Sequence, residues 1–546
     1  MRWLIVFAVA CSSTPQHRPE PGGDHPPAHE VMLVGGDILT MDPAHPHATS
    51  VVWDAQGRIT GVDADPTLHP GARIIDLHGH SVTPGLIDAH CHLYELGTDI
   101  EAVSVRDAKD EHAAAALIVN ASGADGWLHG QGWDQNKWPG QQFPTKASLD
   151  AVAPDRPALL ERVDGHASWA NSKALELAGI TRATPDPEGG KIVRDPHGEP
   201  TGVFVDNAQA LVSSKVPLAP PELRAKRILA AAKLAIAKGI TGIHEMGITD
   251  QTAAVYRGLA EHQQLPLRVY AFLRGDPDRP EELATRHPAP AMGRFQMRGV
   301  KFFVDGALGS RGARLKAPYS DDPTNHGLWV TPPDKLAVAV KDAVSGGWDI
   351  AVHAIGDDGV HAVLAAFAAA PPNHVNLRVE HTQVIAPDDV DLMVKVHAIA
   401  SMQPTHATSD MPWAEARLGK DRILGAYAWR TMLDHHIPLI GGSDFPVEDV
   451  GPLLGIYAAV TRQDAAGNPA GGWYPAQRMT FDEALAAFTR DAAAAEHITD
   501  RGVIEVGNHA DLTVYGGKLA PDRSLLTMDI AMTVVDGDVV YERGAR

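Results

Sequence analysis

The run Gly85-Leu86-Ile87-Asp88-Ala89-His90-Cys91-His92 decides how the rest of the chain is read. It is an apolar strand closing on two histidines. In a strand, residues two apart face the same side, so His90 and His92 point one way and Cys91 the other. Two imidazoles on one face can share a metal ion. In a chain with 28 histidines a lone His-x-His carries little weight, and its place at the end of an apolar strand is what raises it.

Outward from this run the chain changes character twice. From Val31 to His80, and again from Gly502 onward, it breaks into short alternating β-rich pieces separated by turn residues. This predicts a small β-sandwich domain assembled from both chain ends, residues 29–83 and 499–546. The middle, 84–498, alternates short apolar strands with Ala-rich amphipathic helices such as RAKRILAAAKLAIAKG, the pattern of parallel βα units. Several strands carry His, Asp or Glu near their carboxyl ends, where a (β/α)8 TIM-type barrel keeps its chemistry. An open doubly wound sheet is disfavoured because a glycine-rich nucleotide turn is missing. The middle exceeds the roughly 250 residues typical of a barrel by about 160, so large insertions are required. The main one is placed at about 107–221, dense in Trp, Asn, Gln and His, a composition that shapes substrate pockets.

The 546 residues are 44% hydrophobic and 21% charged, the balance of a soluble globular protein. Acidic residues outnumber basic ones 68 to 47, and no basic run interrupts that background, which argues against a nucleic-acid partner; the expected partner is a small-molecule substrate, on the grounds given below. The start, MRWLIVFAVACSSTPQ, reads as an export signal, its apolar run far short of the roughly 20 residues of a membrane-spanning helix. Ala8-Val9-Ala10-Cys11 resembles a bacterial lipoprotein box, with Ala8 where Leu is usual. That resemblance implies a lipid anchor at Cys11, a leader and tether over 1–28, and an exported protein facing the periplasm or cell surface. A mis-assigned start codon or a cytoplasmic leader is the alternative. With Cys11 in the leader, Cys91 is the one thiol of the folded body and no disulfide framework exists there. Oligomeric state is not indicated.

PGLIDAHCH is followed in order by GWDQNKW, DGHASWANSKAL, KFFVDGALGSRGA, VHAIGD, VEHTQ, MQPTH, GGSDFPVE and GVIEVGNHADLTVY. From about Val31 to the carboxyl terminus this series resembles the amidohydrolase superfamily, and within it the family-3 branch of N-substituted formamide deformylase-like enzymes. The resemblance implies a divalent-metal centre held by His90, His92, Lys301, His353, His381 and Asp444. In that superfamily a lysine at the position of Lys301 can carry a carbamate bridging two ions, which requires a neutral amine. Pairing of Lys301 with Asp305 would instead favour a one-ion site. His353 and His381 each close an apolar strand and match the two later ligands. Asp444 matches the carboxylate that takes a proton from the attacking water, a helix N-cap being its bland alternative. His166, His406, Trp133 and Asp134 fall in family-like motifs and are expected at the substrate, while Asp88 is expected to orient a ligand. Zinc is the default ion for such a centre, with iron, manganese and cobalt also admitted and the choice between one ion and two left open.

The resemblance implies hydrolysis of a carbon–nitrogen bond in an amide, formamide or cyclic amide by metal-activated water. No G-x-S-x-G elbow, Walker A loop or G-x-G-x-x-G turn points to another chemistry. An ester or lactone hydrolase on the same site is the runner-up. A non-catalytic metal-binding lipoprotein is a further alternative, disfavoured because the full ligand set and Asp444 are present.

Overall fold

The computed structural model describes residues 30–121, 126–372 and 374–544. The leader 1–28 with Cys11 lies outside the described residues. Eight parallel strands form the central sheet: β1 Leu86–Cys91, β2 Ile240–Ile248, β3 Arg268–Arg274, β4 Phe295–Phe303, β5 Asp349–Ala354, β6 Leu377–His381, β7 Ile399–Met402 and β8 Leu439–Gly441. Each pairs with its neighbour in this series, so the order of strands across the sheet follows their order along the chain. Strand β5 is buried throughout, as expected of a parallel strand covered on both faces. The covering helices follow the sequence pattern. In Pro221–Ala237 the buried positions Ile228, Ala231, Ala232, Ala235 and Ile236 recur every three or four residues, one apolar stripe against the barrel.

Discrete hydrogen bonds close the barrel where β8 meets β1. The Asp444 N–H donates to His90 O and the His92 N–H to Phe445 O, both at 2.8 Å. The buried Asp88 carboxylate clips the same seam, accepting from the Ser443 hydroxyl at 2.6 Å, the Ser443 N–H at 3.0 Å and the His90 N–H at 3.2 Å. Closure and ligand placement are therefore one event, because the bonds that join β8 to β1 also set Asp444 against His90 and His92.

The chain ends share one eight-stranded sheet. Ser81–Pro84 pairs antiparallel with Leu512–Tyr515, joining the amino-terminal strands to the carboxyl-terminal ones. Its sandwich-like packing comes from a single sheet folded over itself. The Trp53 indole donates to Gly537 O on the far flank at 3.2 Å, and Leu33, Val51 and Ile59 pack with Leu512 and Val534 in one core.

The segment between β1 and β2 is more than pocket-shaping loops. It builds a six-stranded sheet, from Val103–Ser104 to Pro200–Asp206, with its own core. Trp133 sits at the centre of that core, 6.2 Å from the Trp138 ring and 6.4 Å from that of Trp169. The aromatic residues that suggested a pocket lining are there to bury each other.

Asp88→Ala tests the seam. It orphans buried N–H donors at Ser443 and His90, and we expect unfolding free energy to drop by at least about 1–3 kcal/mol in a denaturant titration. Stability equal to wild type would show that the closure does not depend on this carboxylate.

Candidate metal centre

Each expected ligand lies at or just beyond the carboxyl end of a barrel strand: His90 and His92 at β1, Lys301 on β4, His353 on β5, His381 ending β6 and Asp444 after β8. All six line one cavity of about 1130 Å³. Two groups have ligand atoms mutually within 4.8 Å, His90–His92–Asp444 and His381–His406–Asp444, with Asp444 common to both. Lys301 Nζ lies 3.4 Å from His90 Nε2, and the His353 and His381 rings are 4.6 Å apart.

The histidines are oriented from behind. Nδ1–H of His90 donates to Glu380 at 2.5 Å, of His92 to Met246 O at 3.1 Å, and of His381 to the Gln403 side-chain carbonyl at 2.8 Å. Each bond fixes the ring orientation and turns Nε2 toward the cavity, the arrangement typical of metal-ligating histidines. His353 is bound the other way round, with Nε2 on Gly306 O at 3.3 Å, which leaves Nδ1 free.

Charge favours the same reading. Burial drives His90 down to about 4, and drives His353 and His381 well below the ordinary imidazole value, so three ligands are neutral. Burial also opposes protonation of His92, but Glu95 and Asp444 outweigh it and bring that ring to about 9. For Asp444, burial pushes upward while His90, His406 and His92 prevail and hold the carboxyl well below its usual range. Asp444 Oδ1 is buried without a hydrogen-bond partner, 3.2 Å from His92 Nε2 and 3.4 Å from His90 Nε2. An anionic oxygen facing the Nε2 atoms of a neutral His90 and of a His92 that can give up its proton is a donor set suited to a divalent cation.

Lys301 is buried and not paired with Asp305. That carboxylate instead accepts the N–H groups of Arg314, Ile355 and Gly356. Burial lowers the Lys301 amine to about 8 despite Glu380 and Asp444.

The four expected substrate contacts part company. His166 lines the cavity, its Nδ1 held by Asp206 at 2.6 Å and its ring 4.7 Å from that of His353. His406 lies instead behind Asp444, bonded to Asp444 Oδ2 at 3.2 Å and to Glu448 at 3.1 Å. Trp133 is corrected outright, since its ring is fully buried in the insertion core and its N–H donates to Leu160 O. Asp134 is also corrected: it does not line the cavity but accepts from Arg162 at 2.9 Å and caps a turn at Asn136.

Glu380, Arg378 and Glu448 were not singled out from the sequence. Glu380 adjoins His381 in the motif VEHTQ, and the two-residue spacing of Arg378 and Glu380 places both on one strand face. That spacing was the available signal.

Comparison with known proteins agrees with this geometry. The signature of the amidohydrolase family matches residues 73–541. The chain is 35% identical to the protein YtcJ of Bacillus subtilis over 93% of its own length and 99% of that protein. It is 27% identical to N-substituted formamide deformylase of Arthrobacter pascens, over 94% of this chain and 98% of the relative. A crystal structure of an uncharacterized metal-dependent hydrolase from Pyrococcus horikoshii superposes with a TM-score of 0.73 at 26% identity, covering 90% of this chain and 98% of that one.

Metal uptake should be proton-linked. His92 holds a proton up to about pH 9 in the metal-free site and must lose it to coordinate. Affinity for zinc, read by competition with a chelator, is expected to rise about tenfold per pH unit between roughly 7 and 9 and to weaken as pH falls. A flat profile over that window would contradict the assignment of His92 as a ligand.

Proposed function

The chain belongs to the amidohydrolase family of metal-dependent hydrolases, and from that premise we propose that it cleaves a non-peptide carbon–nitrogen bond in an amide, N-formyl or cyclic amide substrate. The observation that carries this reading is the orphaned Asp444 Oδ1 facing the Nε2 atoms of His90 and His92. These three side chains would hold one divalent ion, zinc by default, and His353 with His381 a second. A divalent ion in such a site makes water available as a nucleophile near pH 7 and polarises a carbonyl.

The remaining chemistry belongs to the chain. Asp444, ionised and reaching the site through Oδ1, takes the proton of the attacking water and returns it to the departing nitrogen. His406, braced by Glu448, fixes Oδ2 so that Oδ1 keeps its aim. Lys301, with its amine lowered to about 8, has a neutral fraction at neutral pH that can take up carbon dioxide as a carbamate, a bridge suited to two ions. His166, anchored by Asp206, reaches from the insertion to meet the substrate beside His353. Preference for a carbon–nitrogen bond draws on the formamide deformylase relative. Export and a lipid anchor at Cys11 belong to the same proposal, resting on the leader sequence.

The test is steady-state turnover of a panel of N-formyl amines, N-acyl amines and cyclic amides by the metal-replete protein. Asp444→Asn is expected to lower kcat by about 10²–10⁴-fold, the worth of a positioned acid–base group. Undiminished turnover would remove Asp444 from proton transfer, and cleavage confined to esters would remove the carbon–nitrogen assignment. The Lys301 carbamate has its own check. Protein stripped of metal and carbon dioxide should regain activity faster with zinc plus bicarbonate than with zinc alone, and equal recovery would mean that Lys301 acts as a plain amine.

A further inference from the structure

We propose that the insertion sheet carries a substrate-recognition subsite, built by Gln131, Glu161 and Ser168, that takes a cationic nitrogen group, ammonium or guanidinium, on the substrate. The inference rests on the hydrolase reading and specifies its substrate class. Gln131 is directly paired with Glu161 across two parallel strands, and Glu161 with Ser168 across an antiparallel pair. Paired residues present their side chains on one face, so the three form a polar row across adjacent strands. All three line the cavity that holds the metal-capable groups. The neighbouring register positions, Leu160 and Trp169, point the other way into the insertion core.

The row has unused hydrogen-bonding capacity. Among the described residues the Gln131 and Glu161 side chains have no hydrogen-bond or ion-pair partner. Ser168 is only 4% exposed, and its Oγ is likewise without a partner. A buried hydroxyl left unbonded is unfavourable unless a ligand completes it.

Charge then selects the ligand. Glu95 and Asp99, on the helix after β1, face the same cavity. Glu161 keeps solvent access on the cavity side, and the like charges of Glu95 and Asp99 raise its carboxyl above the usual range, while Asp99 is raised to about 7 by burial and Glu95. The cations nearby do not pair with Glu161, the His92 ring lying 3.6 Å from a Glu95 oxygen. Arg106 donates to the carbonyls of Pro446 and Val447, while Arg162 is held by Asp134, Asp164 and Gln135. Among the described residues Glu95, Asp99 and Glu161 do not gather within metal-ligand distance, which favours a larger organic cation over an ion. His92 and Glu161 line the same cavity, so a substrate held at the metal centre can extend its charged group to the row.

The experiment compares monoacetylated diaminobutane, which is cationic, with N-pentylacetamide, neutral and similar in length, titrated calorimetrically into the full metal-loaded chain. Wild type should bind the cationic amide at least about tenfold tighter, the worth of a charge-assisted hydrogen bond. Glu161→Gln should collapse that ratio toward unity and Ser168→Ala should reduce it partly, both with wild-type thermal unfolding. Equal affinities in wild type, failure of the cationic amide to bind, or an undiminished ratio in Glu161→Gln would overturn the proposal. So would calcium saturating the row through Glu161 without competition from the ammonium probe. Because both amides carry the same scissile bond and the ratio compares affinities, absence of hydrolysis counts against the proposed reaction while the affinity ratio still judges the subsite.

Discussion

A carboxylate sealed inside the barrel governs the metal centre. Glu380 has no solvent exposure, and it lies between the His90 ring and the Arg378 guanidinium, itself fully buried. Burial alone would neutralise Glu380, but Arg378 and His90 together hold it ionised. An ionised partner at Nδ1 commits His90 to one tautomer and aims Nε2 at the site. Arg378 in turn bonds to Ala89 O and to His244, which reaches Glu496. Removing either member would strand a charge in the interior, so the pair constrains the barrel as firmly as it constrains the ligand.

Backbone conformation completes the convergence. His381 and Asp444 both adopt positive φ, 70° and 62°, a region that costs L-residues about 1–2 kcal/mol. At the end of β6 this conformation turns His381 toward the cavity, although strand alternation would set it opposite Glu380. At the closing seam it lets Asp444 bond its N–H to His90 O while its carboxylate turns back to the two imidazoles. Strain kept at two candidate ligands, both lining one cavity, suits a site whose geometry matters more than local stability.

How much of this was legible in the sequence follows from what each residue depends on. His90, His92, His353 and Lys301 were readable because strand periodicity and position at a strand end fix where they point. The composite terminal sheet was readable from two alternating segments, although not its folding over as one continuous sheet, which depends on contacts such as Trp53 with Gly537. Trp133 misled because an aromatic residue in a long insertion suits a pocket wall and a private core equally, and only the six-stranded sheet decides between them. His406 was noticed but misplaced, since its role depends on a rotamer held between Glu448 and Asp444 that no spacing encodes. Glu380 escaped because its partners, His90 and Arg378, meet only once the barrel is closed.

The cavity is thus shared between two builders, the barrel supplying ligands and the insertion supplying His166 and a polar wall. The central claim, that distant side chains converge on bound cations at one barrel rim, is tested most directly by anomalous diffraction from zinc-loaded crystals. It predicts a zinc peak about 2.0–2.1 Å from Nε2 of both His90 and His92, with Asp444 Oδ1 at about 2.0–2.2 Å. A peak confined to other residues, or none at full loading, would contradict it.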